Sequence, residues 1–229
     1  MTPVQILPVE GVPEIVTADD VGLLIVDAVG PDDFIDGDVV VVTQKVVSKS
    51  EGRLRPATER RQAIEEESAR VLRRTPGGMT ISETRHGFVC ANAGVDESNV
   101  QTEHIALLPL DPDASARRIR ARIKHLTGVD VGVIISDTFG RAWRIGQTDV
   151  AIGVAGIEPF IDYRGSTDTQ GRDLHATRIA VADELAGAAE LVMGKSTRIC
   201  AAIVRGANVK FGRGAATEIV RPRTEDLFR

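Results

Sequence analysis

Two kinds of hydrophobic pattern alternate along the chain. Short β-branched runs without polar interruption mark strands buried on both faces, and apolar residues three or four apart mark helices. Asp38–Thr43 (DVVVVT) follows the turn pair Asp36-Gly37 and predicts a buried strand. Val129–Ser136 (VDVGVIIS) predicts a second, and Ala201–Val204 a third. Residues 79–95 predict two more strands about a turn at Arg85-His86-Gly87.

Helical spacing appears in three places. Thr58–Arg74 is highly charged, with Ile64, Val71 and Leu72 on one side, and Thr75-Pro76-Gly77-Gly78 stops it. Asp111-Pro112-Asp113 opens a helix in which Ala116, Ile119, Ile123 and Leu126 share a face, and Gly128 closes it. From about Thr177 to Met193, Ile179, Ala182, Ala186 and Ala189 line one face before Gly194. The order lacks a regular βαβ alternation, so the expected class is α+β, with mixed sheets and packed helices. No repeat or linker breaks residues 1–229, which read as a single domain with room for two intertwined lobes.

Composition narrows the function classes. At 42% hydrophobic and 27% charged, the chain is neither a disordered nor a fibrous protein. No apolar run approaches the ~20 residues that cross a bilayer, and the N-terminus lacks a basic start followed by an apolar core. A cytoplasmic protein with no membrane partner is expected. The two cysteines, Cys90 and Cys200, have no C-x-x-C spacing, which argues against a disulfide framework or a structural zinc. A net charge of −5, one Trp and one Tyr argue against a nucleic-acid partner.

Candidate chemistry gathers in three segments. The run Ser136–Asp149 starts where a buried strand ends, and Asp137 beside Thr138 there suits a hard cation, Mg²⁺ or Mn²⁺. Arg141 and Arg144 add charge suited to phosphate or carboxylate. A second cluster, Asn92, Gly94, Asp96, Ser98 and Asn99, follows another strand-like segment, and Asp96 could join Asp137 around one metal if the strands are neighbours. In the third, Thr43–Lys49, lysines and hydroxyls beyond a strand can face phosphates. Each segment alone also reads as an ordinary turn, strand end or surface pair. Together they favour a metal-and-phosphate site, reached without a P-loop or a dinucleotide fingerprint. His86, His104, His125 and His175 are unclustered and read as surface or packing residues. What remains is phosphoryl chemistry governed by positioning and charge.

These residues also carry a resemblance. The run S-D-T-F-G-R-A-W-R-I-G-Q-T-D-V-A-I-G-V-A-G-I at 136–157 closely resembles the signature of the coenzyme F(420)-0:L-glutamate ligases. Segments 7–15 (LPVEGVPEI), 37–53 (GDVVVVTQKVVSKSEGR), 91–100 (ANAGVDESNV), 181–195 and 204–207 agree in order. The resemblance spans nearly the whole chain.

It implies a GTP-dependent ligase that adds L-glutamate to coenzyme F(420)-0, then further γ-linked glutamates, through an acyl phosphate. It also implies a family-specific fold, an intertwined homodimer, and two divalent ions per site, Mg²⁺ or Mn²⁺, with K⁺. Its nucleotide residues match Val12, Pro13, Glu14, Ile15, Gln44, Lys45, Lys49 and Asn99; its metal ligands match Asp96, Asp137 and Thr138. A further nucleotide and metal segment matches Met193–Cys200 loosely, with Lys195 about where archaeal members offer a metal ligand. In the implied mechanism, Asp96 and Asp137 are catalytic through their metals, and Arg141 or Arg144 holds a substrate carboxylate or the F(420) phosphodiester. Actinobacterial relatives fuse this module to a flavin-binding domain, so a stand-alone enzyme and an N-terminal module are both compatible. Two rivals stay open: a ligase with another acyl acceptor, and a GTP-binding subunit without turnover.

Overall fold

The computed structural model describes residues 3–98 and 103–226. Its strands are β1 (Gln5–Pro8), β2 (Val39–Thr43), β3 (Leu54–Pro56), β4 (Ser68–Arg74), β5 (Thr80–Thr84) and β6 (Val89–Ala91). They continue as β7 (His104–Ala106), β8 (Gly132–Arg141), β9 (Arg144–Ala155), β10 (Ile161–Asp162), β11 (Arg178–Ile179) and β12 (Ala201–Arg205). The α-helices are α1 (Val21–Val29), α2 (Gln44–Ser50), α3 (Arg60–Glu67), α4 (Pro112–Thr127) and α5 (Val181–Met193).

The valine run of β2 occupies the centre of a five-stranded sheet ordered β1-β12-β2-β8-β9. Such a run can sit only where both faces are covered. Val40 and Val42 join Val133 and Ile135 in a core completed by Ile25 of α1 and Ile119 and Ile123 of α4. Val39 and Val41 face the other way, against Ala182, Ala186 and Ala189 of α5. Helices α1 and α4 therefore cover one face and α5 the other. Among the sheet's pairings only β2 with β8 is parallel; the others are antiparallel. The class is α+β, as the order of elements predicts.

Helix α4 begins and ends on its expected residues. Asp111 accepts the Ala114 N–H at 2.8 Å, and Gly128 closes the helix in the left-handed region at φ 76°. The buried carboxylate of Asp113 accepts the N–H groups of Val154 and Ala216 at 2.7 and 2.8 Å, tying α4 to β9 and to the 216–218 turn.

A smaller unit fills the chain between β2 and α4. It contains the β3–β7 pair, the β4-β5-β6 sheet and α3, with Ala63, Ile64, Val95, Ile105 and Leu107 as its core. Here the helix expected over Thr58–Arg74 is corrected. The helix covers only Arg60–Glu67, and Ser68–Arg74 pairs with β5 as a strand. Arg70 meets Glu83 across that pair at 3.2 Å, and Val71 turns outward, 40% exposed, instead of sharing a face with Ile64. The late helix also starts at Val181, not Thr177, because Arg178-Ile179 are drawn into a pairing with β10. Among the described residues no helix is long and apolar enough to cross a membrane.

Candidate active site

The sheet topology brings four chain segments to one edge. Because β2 and β8 are parallel, Thr43 and Ser136 end side by side in register. The antiparallel β12 starts there, with Ala201 opposite Val42, and β1 ends there, with Pro8 opposite Ala202. Beyond that edge lies a cleft of about 810 Å³, the crevice position that strand ends favour for ligands in such sheets. It is lined by the loop after β1, the start of α2, residues 136–138 of β8, Asp149 of β9 and the turn 194–200.

Its polar groups are arranged by α2. Gln44 is 1% exposed; its Oε1 lies 2.7 Å from Ser48 Oγ, and its buried Nε2 has no hydrogen-bond partner among the described residues. A buried orphan donor costs free energy unless an acceptor arrives, so it marks a place for an anionic oxygen. Lys45 reaches Asp96 at 2.7 Å. Lys49, one helical turn on, reaches Glu14 at 2.5 Å, a carboxylate 74% exposed and readily exchanged for a ligand's.

Three carboxylates influence one another here. Burial pushes the Asp137 carboxyl up to about 7; Lys45 and the Thr138 N–H oppose this, while Asp96 and Asp149 reinforce it. Burial also works against ionisation of Asp96, but the Lys45 ion pair and the Ser98 N–H and hydroxyl outweigh it, leaving that carboxyl below its ordinary value. Asp149 is 3% exposed and accepts from Ser136 Oγ at 2.9 Å and Thr138 Oγ1 at 2.6 Å. Among the described residues no three His, Cys, Asp or Glu side chains enclose a metal by themselves. Asp96 is engaged by the Lys45 ammonium, whereas Asp137 has no ion-pair partner among the described residues, which leaves its oxygens open to a hard cation such as Mg²⁺ that completes its shell with phosphate oxygens.

The neighbouring thiols are unsuited to nucleophilic work. Burial, aided by the Asp137 charge, pushes Cys90 up to about 12, and burial raises Cys200. His86 packs on Phe88, its Nε2 2.9 Å from the Pro109 carbonyl.

Residues 11–65 and 57–206 match the family described as F(420)-0:gamma-glutamyl ligase. The chain belongs to that family. It is 42% identical to the coenzyme F(420):L-glutamate ligase of Methanothermobacter thermautotrophicus over 250 residues, 99% of each chain. The protein of the same name from Archaeoglobus fulgidus is 43% identical over 246 residues, 99% of this chain and 96% of its own. The Methanocaldococcus jannaschii protein of that name is 42% identical over 213 residues, 85% of each. Membership makes the chain a ligase.

Set against the family's expected site, Val12, Pro13, Glu14, Ile15, Gln44, Lys45, Lys49, Asp137 and Thr138 all line the one cleft. Asp96 is held behind it by Lys45. Asn99 lies outside the described residues. Arg141 and Arg144 do not line the cleft: β8 continues past Ser136, and the β8–β9 hairpin carries both to its exposed tip, where Arg141 Nη2 donates to the Ile145 carbonyl at 2.8 Å. Sequence reasoning assigned no role to Asp149, although it closes the quoted run. Its signal is legible only once the hairpin is known, since the register sets it opposite Thr138.

Proposed function

We propose that the chain is a GTP-dependent ligase that joins L-glutamate, through its α-amine, to the terminal carboxylate of coenzyme F(420)-0 and then adds γ-linked glutamates. One observation carries this reading: four segments far apart in sequence converge on one cleft furnished with lysines, a buried orphan amide and carboxylates. The full-length relatives named for that activity supply the substrates.

A free carboxylate is a poor acyl donor because its leaving group would be an oxide. Its oxygen therefore attacks the γ-phosphorus of GTP, the bond to the β-phosphate oxygen breaks, and GDP leaves. The amine nitrogen then attacks the acyl-phosphate carbon, the carbon–oxygen bond to phosphate breaks, and one proton is lost from nitrogen. Lys45, Lys49 and the Gln44 amide bind the phosphate chain and hold it in line for transfer. Asp96 and Asp137 would hold Mg²⁺ or Mn²⁺, which supplies charge neutralisation at the transferring phosphate. The resemblance adds K⁺ to this set. The hairpin tip, with Trp143 79% and Ile145 100% exposed, would pack on a second copy in a homodimer and present Arg141 and Arg144 to the acidic substrate.

Incubation with F(420)-0, L-glutamate, GTP and Mn²⁺ tests the reading through GDP release and product mass. Glutamate adducts with matching GDP are expected, and Asp137→Asn abolishes both. Nucleotide binding without turnover would favour a non-catalytic subunit. GDP formed only with another acceptor would favour a different ligase.

A further inference from the structure

The two sides of the cleft are balanced differently. On one side Asp137 has no cation within ion-pair distance among the described residues; the nearby Lys45 ammonium is paired with Asp96 at 2.7 Å. On the other side Asp149 is already neutralised. Lys195 Nζ lies 3.2 Å from Asp149 Oδ1, 2.5 Å from Thr138 Oγ1 and 3.6 Å from Glu190 Oε1.

The backbone builds this placement. Helix α5 lies against the sheet through small residues, Ala182, Ala186 and Ala189, and ends at Gly194 with φ 57°. The Thr197 hydroxyl donates to the Met193 carbonyl and tightens the turn. Lys195 leaves that turn beside β9, its side chain 56% exposed to the cleft.

The acceptors on this side are engaged. A hydroxyl has one proton and two lone pairs. Thr138 donates its proton to Asp149 Oδ1 at 2.6 Å and accepts from Lys195. Asp149 Oδ2 accepts from Ser136. A divalent ion seated on Thr138 would stand beside an ammonium, and like charges at that distance repel. Thr138 therefore does not fit a metal while Lys195 holds it, whereas Asp137 does.

We propose that Lys195 is a fixed cation of the nucleotide site, its ammonium standing on the Thr138–Asp149 side toward the nucleotide phosphates, so that the chain takes one divalent ion, on the Asp137 side, instead of two. The inference rests on the ligase reading above. Asp149 then serves as a positioning residue that holds the ammonium and the Thr138 hydroxyl through Oδ1, while Ser136 fixes its Oδ2.

Electron paramagnetic resonance with Mn²⁺ and a non-hydrolysable β,γ-imido analogue of GTP tests it, after free ions are removed. The wild-type chain should hold one Mn²⁺ with an uncoupled six-line spectrum. Lys195→Gln should admit a second ion and give a spin-coupled spectrum; Lys195→Arg, which keeps the charge, should stay at one. Melting curves establish that each variant is folded. Two coupled ions in the wild type would overturn the inference alone, as would a folded Lys195→Gln chain that stays at one ion. A wild type that binds neither Mn²⁺ nor the analogue would overturn the ligase reading with it.

Discussion

The ammonium of Lys45 stands 2.7 Å from Asp96 Oδ2, joining the start of α2 to the segment that follows β6. That ion pair gives the cleft a cation whose position is set before any ligand arrives. Lys45→Met should remove it and leave Asp96 and Asp137 to repel each other. Isothermal titration should show GTP affinity reduced by about tenfold or more, the scale of one charge-assisted contact. An affinity within twofold of wild type would show that Lys45 serves only Asp96.

Asp137 sets a pH dependence. Its folded value, about 7, lies above the ordinary 3.8, so between those values the folded chain binds more protons than the unfolded one. Stability of the ligand-free protein should therefore fall as pH rises from about 4 through 7 and level off above. Asp137→Asn should melt higher than wild type at pH 8, by about 2–4 °C per kcal/mol of relieved burial cost, and the gap should close toward pH 5. Calorimetry across that range checks this; a gap constant with pH would place the effect elsewhere.

Gly153 sits where β9 meets the start of α4. A Cβ there would lie 2.4 Å from the Pro112 carbonyl oxygen, a backbone atom that cannot turn aside. Gly153→Ala should cost about 1–3 kcal/mol, the range for overpacking a filled core. Urea denaturation measures it, and an unchanged midpoint would mean that α4 can shift.

Both thiols should be sluggish. Cys90 is buried and pushed up to about 12, so a disulfide reagent at pH 8 should reach it only after unfolding. Cys200, raised and half-buried in the cleft lining, should react slowly and be protected by GTP. Mass spectrometry of the labelled positions reads both; rapid Cys90 labelling in the native protein would contradict its burial.

Ile145 is fully exposed at the hairpin tip beside Trp143. If that tip packs on a second copy, light scattering should show a dimer for the wild type and a monomer for Ile145→Glu. A variant that stays dimeric would move the interface elsewhere.

The sequence by itself determined what local pattern can determine. The valine run of β2 could be satisfied only inside a sheet covered on both faces, and Asp111 and Gly128 bounded α4 by capping chemistry that acts within one turn. The quoted motifs also marked most residues that line the cleft. Tertiary structure decided the rest, because pairing between distant segments outweighs local periodicity. It drew Ser68–Arg74 out of a helix and onto β5, and it carried Arg141 and Arg144 to a hairpin tip. It set Asp149 opposite Thr138 and folded Lys195 back onto both. Residues as far apart as Thr138 and Lys195 have no period in common, and only the packing of α5 against β9 brings that charge to that hydroxyl.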